Sequence, residues 1–250
     1  MQADQADEIA ALIASQPTGK PHQIASWGHF LGFLLIMAGV AALGFQAQHA
    51  ASGAAPGGQL AEHGKAIPVY LVAGLMDWAL FYYCWMGVHR RGGNLSALSA
   101  GRWTSWSSLA ADVAIALPFW VLWEGTAYAV HRILGPSSSK SVADLLPRSL
   151  LEILIWIAVS MTAGFCEEIA FRGYLQRQLH ALSGNIGVAV MAQALVFGLA
   201  HGYQGWKQAI VISVLGALYG ALAAWRRNLR ANIVAHAWSD VWEGWLKMAV

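Results

Sequence analysis

The chain has 250 residues, of which 57% are hydrophobic and only 11% are charged, and its formal net charge is +2. A soluble domain carries charge on about a quarter of its positions, so this composition excludes an ordinary water-exposed surface. Basic residues fall in short breaks between apolar runs rather than in one patch, which argues against a nucleic-acid partner. Cys84 and Cys166 lie inside apolar runs and indicate neither a disulfide nor a thiolate metal site.

Apolar runs of about 20 residues, the length that crosses a bilayer, recur along the chain. Breaks rich in Gly, Pro and Ser separate them, which is typical of loops. The pattern predicts an all-α, polytopic transmembrane helical bundle with seven membrane helices, or eight if one run divides. The predicted segments are 24–47, 66–89, 109–132, 149–172, 184–200, 206–225 and 231–248.

The chain divides into three predicted regions. Residues 1–23 form a polar segment without the basic start and cleavage site of a secretory signal, and we expect it in the cytoplasm. N-terminal membrane helices follow over 24–148, and a catalytic helical core covers 149–250. This orientation places more Lys and Arg on the inner side, as cytoplasmic loops require. The Ala, Gly and Trp content favours a bacterial cytoplasmic membrane.

Three charged residues stand close together in one apolar segment: Glu167, Glu168 and Arg172. A charge at mid-helix depth costs about 2.5–3.5 kcal/mol to insert, so such groups usually face a protein interior or a wet cavity. Glu168 and Arg172 are four residues apart on one helix face, so we expect an ion pair between them. Glu167 points about 100° away. Poor solvation and a like-charged neighbour favour a general base at this position.

Two later segments supply histidines. His201 follows Phe197 by one helical turn, although a lone histidine there is more often simply hydrogen-bonded at a helix end. Asn232, His236 and Asp240 repeat every four residues along one face of the last segment. Because isolated polar groups inside a membrane cost several kcal/mol, the most economical partner for this stripe is the glutamate helix.

These residue types suit the hydrolysis of a peptide bond, which needs a base for water and donors for the developing oxyanion. Glu167 with His201 meets the first need, and His236 polarised by or paired with Asp240 meets the second. Straight helices would place Glu167 and His201 at different depths, so their meeting requires helix tilt, a deeper start of the 184–200 segment, or a break at Gly198 or Gly202.

The order of these motifs resembles the CPBP family of intramembrane glutamic endopeptidases. That family groups type II CAAX prenyl endopeptidases with bacteriocin-processing and Abi-like membrane proteins. The resemblance covers residues 149–245. It rests on an EExxxR pattern from Glu167 to Arg172, an FxxxH pattern from Phe197 to His201, and an HxxxN-or-D pattern from His236 to Asp240.

The resemblance implies metal-independent hydrolysis near the end of a membrane-bound or lipidated protein or peptide, with no cofactor. Glu167 and His201 would activate water, and His236 and Asp240 would line the oxyanion side. Arg172 would be a structural partner of the acidic pair.

One position departs from the family pattern. Well-studied CAAX endopeptidases carry asparagine where Asp240 stands, and an ionised aspartate cannot donate a hydrogen bond. Asp240 must therefore be protonated or act through His236, and Asn232 is an alternative donor. Four further polar residues of the earlier segments are expected to tie helices together: Asp77, Asp112, Glu124 and His131.

Three other interpretations stay open. A zinc peptidase could use the histidines and carboxylates, although the HExxH string is absent. A non-catalytic immunity or assembly factor would keep the polar cluster for folding, and a proton-coupled carrier also uses buried Glu and His. The expected partners are the lipid bilayer and a membrane-anchored protein or peptide substrate.

Overall fold

The computed structural model describes residues 22–52, 66–99, 101–135 and 145–246, and within these ranges the chain is helical, without a β-strand. Besides its α-helices, the chain has a π-helix, Glu168–Gln176, and a 3₁₀ turn, Gly202–Gln204. The α-helices are α1 (Trp27–Ser52), α2 (Ala66–His89), α3 (Leu95–Ser99), α4 (Trp106–Leu134), α5 (Leu150–Glu167), α6 (Arg177–Ser183), α7 (Ile186–Ala200), α8 (Trp206–Arg226) and α9 (Arg230–Leu246).

Five stretches are long and apolar enough to cross a membrane: 27–50, 66–89, 106–134, 150–183 and 206–226. The expected all-helical, multi-pass class is therefore confirmed. Each predicted segment overlaps a helix, but α7 has only 15 residues and α9 only 17, so the structure itself establishes five candidate spans. The predicted polar segment 1–23 lies outside the described residues except for its last two positions.

Polar side chains explain where several helices begin. Ser149 precedes α5 and accepts a hydrogen bond from the backbone N–H of Glu152, whose carboxylate in turn accepts from the N–H of Ser149. This capping box satisfies amides that the first turn leaves unpaired. Asn185 caps α7 in the same way through Val188, at 3.2 Å.

The helix that begins at Leu150 continues well beyond the predicted end at residue 172. It passes through the π-helix into α6 and ends at Gly184, where φ is +69°. Glycine adopts this left-handed conformation without a steric penalty. All nine residues of the π-helix are buried, so this element forms the centre of the bundle.

Small residues allow the central helices to approach closely. α5 packs against α2 and α9, and α7 packs against α8. A Cβ at Gly164 of α5 would lie 2.7 Å from the backbone nitrogen of Ala237 in α9, closer than any side chain permits. The glycine therefore sets the distance between the two helices that carry most of the polar cluster.

Asp112 of α4 ties separate parts of the fold together, as expected. Its buried carboxylate contacts Arg226 at 3.0 Å, Arg230 at 2.8 Å and the indole N–H of Trp103 at 3.1 Å. Such shared partners compensate a carboxylate for its loss of water.

Candidate active site

The acidic pair lies where the α-helix becomes a π-helix. Glu167 is the last residue of α5, and Glu168 is the first residue of the π-helix. π-helical turns are rare and are found frequently at functional sites, because the extra residue in the turn redirects neighbouring side chains. Here the two glutamates enter different surroundings.

Glu168 is the centre of a fully buried hydrogen-bond network. Its Oε1 accepts from Arg172 Nη1 at 2.8 Å and from His236 Nδ1 at 2.8 Å, and its Oε2 accepts from Asn232 Nδ2 at 3.1 Å. The expected Glu168–Arg172 ion pair is thus confirmed, with neither side chain exposed. Because both oxygens are engaged, Glu168 is a structural group that orients its partners.

Arg172 links this network to α7 and α8. Its Nη2 donates to the carbonyl of Gly216 at 3.3 Å, and its guanidinium carbon lies 4.5 Å from the ring centre of Phe197 and 5.2 Å from that of Tyr219. Cation–π contacts of this kind stabilise a buried charge. Phe197 of the FxxxH pattern therefore supports the arginine directly.

Asn232 has a structural role. Its Nδ2 donates to Glu168 and to the carbonyl of Tyr219, the latter at 2.8 Å, and the residue is fully buried. Both amide hydrogens are engaged in this structure, so neither is available to the alternative role of Asn232 as an oxyanion donor. The convergence of the α9 stripe on the glutamate helix is confirmed.

Glu167 keeps its carboxylate in a more open position. Its Oε2 lies 3.7 Å from His236 Nε2, which is also 3.7 Å from Asp240 Oδ2. These distances are too long for hydrogen bonds but allow electrostatic attraction when His236 is protonated. The Glu167 side chain is 17% exposed and that of Asp240 is 35% exposed, whereas Glu168 is inaccessible. A small polar molecule can therefore reach Glu167.

His201 sits at the C-terminal end of α7, near this cluster but without direct contact to Glu167. Its Nδ1 donates to the Phe197 carbonyl at 2.8 Å, which directs Nε2 elsewhere. The Phe197 ring lies 4.7 Å from the His201 ring and 6.2 Å from the His236 ring, so one phenyl ring adjoins both imidazoles. Among the described residues, no hydrogen bond or ion pair joins His201 to Glu167.

Asp77 is the residue of this cluster that the sequence analysis placed elsewhere. It lies in the middle of α2 and interacts electrostatically with Glu167, His236 and Asp240. The sequence analysis expected Asp77 to tie helices together, apart from the site, whereas the structure brings it close to the cluster. In the sequence, Asp77 stands out only as a carboxylate at mid-helix depth. Asp112 has the same feature, so the sequence alone does not show which aspartate lies near the site.

Within the described ranges, no group of three or more His, Cys, Asp or Glu side chains is arranged to hold a metal ion. His236 directs Nδ1 to Glu168, and its Nε2 faces carboxylates at 3.7 Å.

Comparison with known families agrees with the motif order. Residues 149–242 match the family model of type II CAAX prenyl endopeptidases, Rce1-like, a family of proteases. The matched region contains the glutamate pair, Arg172 and both histidine motifs. No curated protein and no solved structure was found to match the chain. This Rce1-like match over residues 149–242 supports membership of the CPBP family.

Proposed function

We propose that the protein is an intramembrane glutamic endopeptidase that cleaves a peptide bond near the end of a membrane-anchored protein or peptide without a metal ion. The observation that carries this proposal is the contrast between the two adjacent glutamates. Glu168 is saturated with partners, whereas Glu167 is partly open and faces His236. A role in folding explains the Glu168 carboxylate, but it does not explain why the Glu167 carboxylate is partly open.

In the proposed first step, Glu167 takes a proton from a water molecule while the water oxygen attacks the scissile carbonyl carbon. His201 assists by hydrogen-bonding the same water through Nε2, because its Nδ1 is held by the Phe197 carbonyl. When the carbon–nitrogen bond breaks, the proton on Glu167 passes to the leaving amine. General-base catalysis of this kind contributes about 10²–10⁴-fold to the rate.

His236 is the proposed oxyanion donor. The Glu168 carboxylate accepts from Nδ1 at 2.8 Å, which fixes the ring orientation and leaves Nε2 directed towards the open part of the cluster. A proton on Nε2 then stabilises the negative carbonyl oxygen. Asp240, 3.7 Å from Nε2, supports this proton or, in its protonated form, donates a second hydrogen bond.

The proposed topology has seven spans, because α7 and α9 complete the five candidate spans to an alternating bundle, and the division of one span would give eight. Hydrogen bonds join Leu229 to Ser99 and Arg230 to Arg102, so the connection between α2 and α4 meets the connection between α8 and α9 at one face of the bundle. This face is rich in arginine, which favours a cytoplasmic location for it and for the N-terminus. We propose that the protein is located in a bacterial cytoplasmic membrane.

The proposed substrate is a protein or peptide held in the bilayer by a lipid or by a hydrophobic segment. The family description refers to prenyl substrates, and a site among membrane helices suits a chain that is already anchored there. Cleavage assays with prenylated and with unmodified peptides show which of the two kinds of precursor is the substrate.

The function is tested by comparing peptides and precursor proteins in membranes of cells that produce wild-type protein, Glu167→Gln or Glu152→Gln. Glu152 is a suitable control because it lies on the same helix and Gln can still accept its capping hydrogen bonds. We expect uncut precursors to accumulate only with Glu167→Gln, at equal protein levels. Identical precursor profiles with an unchanged cellular phenotype would favour a non-catalytic immunity or assembly factor.

A further inference from the structure

A polar cavity lies away from the candidate active site, where α1 begins and α2 ends. It has a volume of about 80 Å³ and is lined by Ser26, His29, Gly87, Arg90 and Arg91. A water molecule needs about 10–15 Å³ of such space, so the cavity has room for a compact group of several heavy atoms. None of its lining residues belongs to the motifs of the protease family.

The start of α1 is fixed firmly at this cavity. The backbone N–H groups of Ile24 and Ala25 donate to Gln178 Oε1 at 2.9 and 3.1 Å, and the N–H of His29 donates to Ser26 Oγ at 3.3 Å. The first turn of this 26-residue helix contains no acidic side chain. Its positive dipole end is therefore not neutralised by the helix's own residues.

His29 presents a buried nitrogen without a partner. Its Nδ1 bonds to the Tyr174 hydroxyl at 2.8 Å, and its ring stacks on Tyr83 with the ring centres 4.0 Å apart. A Cβ at Gly87 would lie 2.3 Å from the ring, so glycine makes room for it. His29 Nε2 is buried and has no hydrogen-bond partner among the described residues, whereas buried polar atoms are normally paired.

Arg90 and Arg91 complete the cavity wall from the turn that follows α2. The N–H of Gly93 donates to the Val88 carbonyl at 3.0 Å, and the N–H of Gly92 donates to the His89 carbonyl. Gly92 has a φ of +80°. These bonds define the turn that holds both arginines. Neither guanidinium has a hydrogen-bond or ion-pair partner within the described part of the chain. Interface anchoring explains two arginines at a helix end, but it does not explain the adjoining cavity and the unpaired imidazole nitrogen.

We propose that this cavity binds a phosphate group, supplied either by a phospholipid headgroup or by a soluble phosphate. Guanidinium groups match phosphate oxygens with paired N–H donors, and the imidazole and the start of α1 add further donors. The cavity is at the end of two membrane-spanning helices, the depth at which lipid phosphates lie. The inference is independent of the proposed peptidase activity.

The test compares the full-length protein with Arg90→Gln/Arg91→Gln and with the control Arg102→Gln/Arg227→Gln, which removes the same charge from the same face. Native mass spectrometry measures binding of phosphatidylglycerol and phosphatidylcholine, and thermal unfolding measures stabilisation by inorganic phosphate. We expect the Arg90/Arg91 variant to bind about ten- to thirty-fold more weakly, while the control binds like wild type. His29→Phe, which keeps both arginines, should also weaken binding.

The three probes distinguish the sources of the phosphate. Lipid adducts that depend on Arg90 and Arg91 identify a headgroup, whereas stabilisation by inorganic phosphate alone identifies a soluble anion. Equal binding by wild type and Arg90→Gln/Arg91→Gln, or an equal loss in the Arg102/Arg227 control, would refute the proposed site.

Discussion

At the scale of single residues, the surroundings of each carboxylate determine what it can do. Glu168 has Arg172, Asn232 and His236 within 2.8–3.1 Å, so its charge is compensated. Removing one partner of such a buried pair typically costs about 3–5 kcal/mol, which makes Glu168 a requirement of the fold. Glu167 has no contact of that length in the described structure, so its oxygens remain available to water and substrate.

Asp240 provides a test of the oxyanion side. If this residue stabilises the oxyanion by donating a hydrogen bond, Asp240→Asn should retain turnover within about tenfold of wild type, because an amide donates without protonation. Asp240→Leu, of similar size, should lose about 10²–10³-fold in kcat. The measurement is the cleavage rate of a fluorescent membrane-anchored peptide in proteoliposomes. Equal inactivity of both variants would instead show that the carboxylate acts through His236.

The two mid-helix aspartates, Asp77 and Asp112, should respond differently to the same substitution. Asp77→Asn replaces a carboxyl group that interacts with Glu167 and His236 by an amide, so we expect kcat to change severalfold while Tm is retained. Asp112→Asn weakens contacts to Arg226 and Arg230, so Tm should fall while kcat of the folded fraction is preserved. Steady-state cleavage and thermal unfolding in detergent measure the two effects. A large loss of Tm in Asp77→Asn would return this residue to the class of helix ties.

At the scale of elements, the close contact between α5 and α9 positions His236 beside the glutamates. In Gly164→Ala, the new methyl group would meet Ala237, the residue after His236, at 2.7–2.9 Å. Backbone cannot move aside as a side chain does, so the helices must separate. We expect a loss of about 1–3 kcal/mol in stability and a marked loss of turnover.

Gly125→Ala in α4 is the matched control, because a Cβ there meets nothing within 4 Å. It should leave stability unchanged or slightly increased, since alanine favours the helix. Thermal unfolding and cleavage rates of the two variants test the argument. If Gly164→Ala behaves like Gly125→Ala, the helix contact does not control the site.

Sequence patterns predict the helices well but not their local irregularities. The segment predicted at 66–89 matches α2 because apolar length alone defines it. The π-helix at 168–176 has no comparable signal, since its register depends on how Glu168 and Arg172 satisfy their partners in the folded bundle. The short helix α3 was likewise not predicted, because five residues are too few to form a periodic pattern.

At the scale of the whole molecule, the bundle brings together residues that are far apart in sequence. The motif spacing predicts that Glu168 and Arg172 pair, because both lie on one helix. It does not predict Asp77, because the packing of α2 against α5 is a long-range contact. The motif spacing also does not predict the position of His201, because that position depends on where α7 ends. The Phe197 ring lies next to both the His201 ring and the His236 ring.

The outer surface of the bundle carries exposed apolar residues. Leu35 is 73% exposed, Leu75 68% and Val121 62%, so the outer faces of three helices are apolar. In water such surfaces would associate, whereas in a bilayer they contact lipid. The polar cluster is therefore enclosed by helices whose outer faces are suited to lipid.

The central claim is most directly tested with purified protein in proteoliposomes that contain a membrane-anchored peptide substrate, prenylated or unmodified. Glu167→Gln should lower kcat by about 10²–10⁴-fold with little change in Tm, while Glu152→Gln on the same helix retains activity. Activity of the wild type should persist after strong chelation of metal ions. Cleavage by Glu167→Gln at the rate of Glu152→Gln, with both proteins folded, would contradict the assignment of Glu167 as the base.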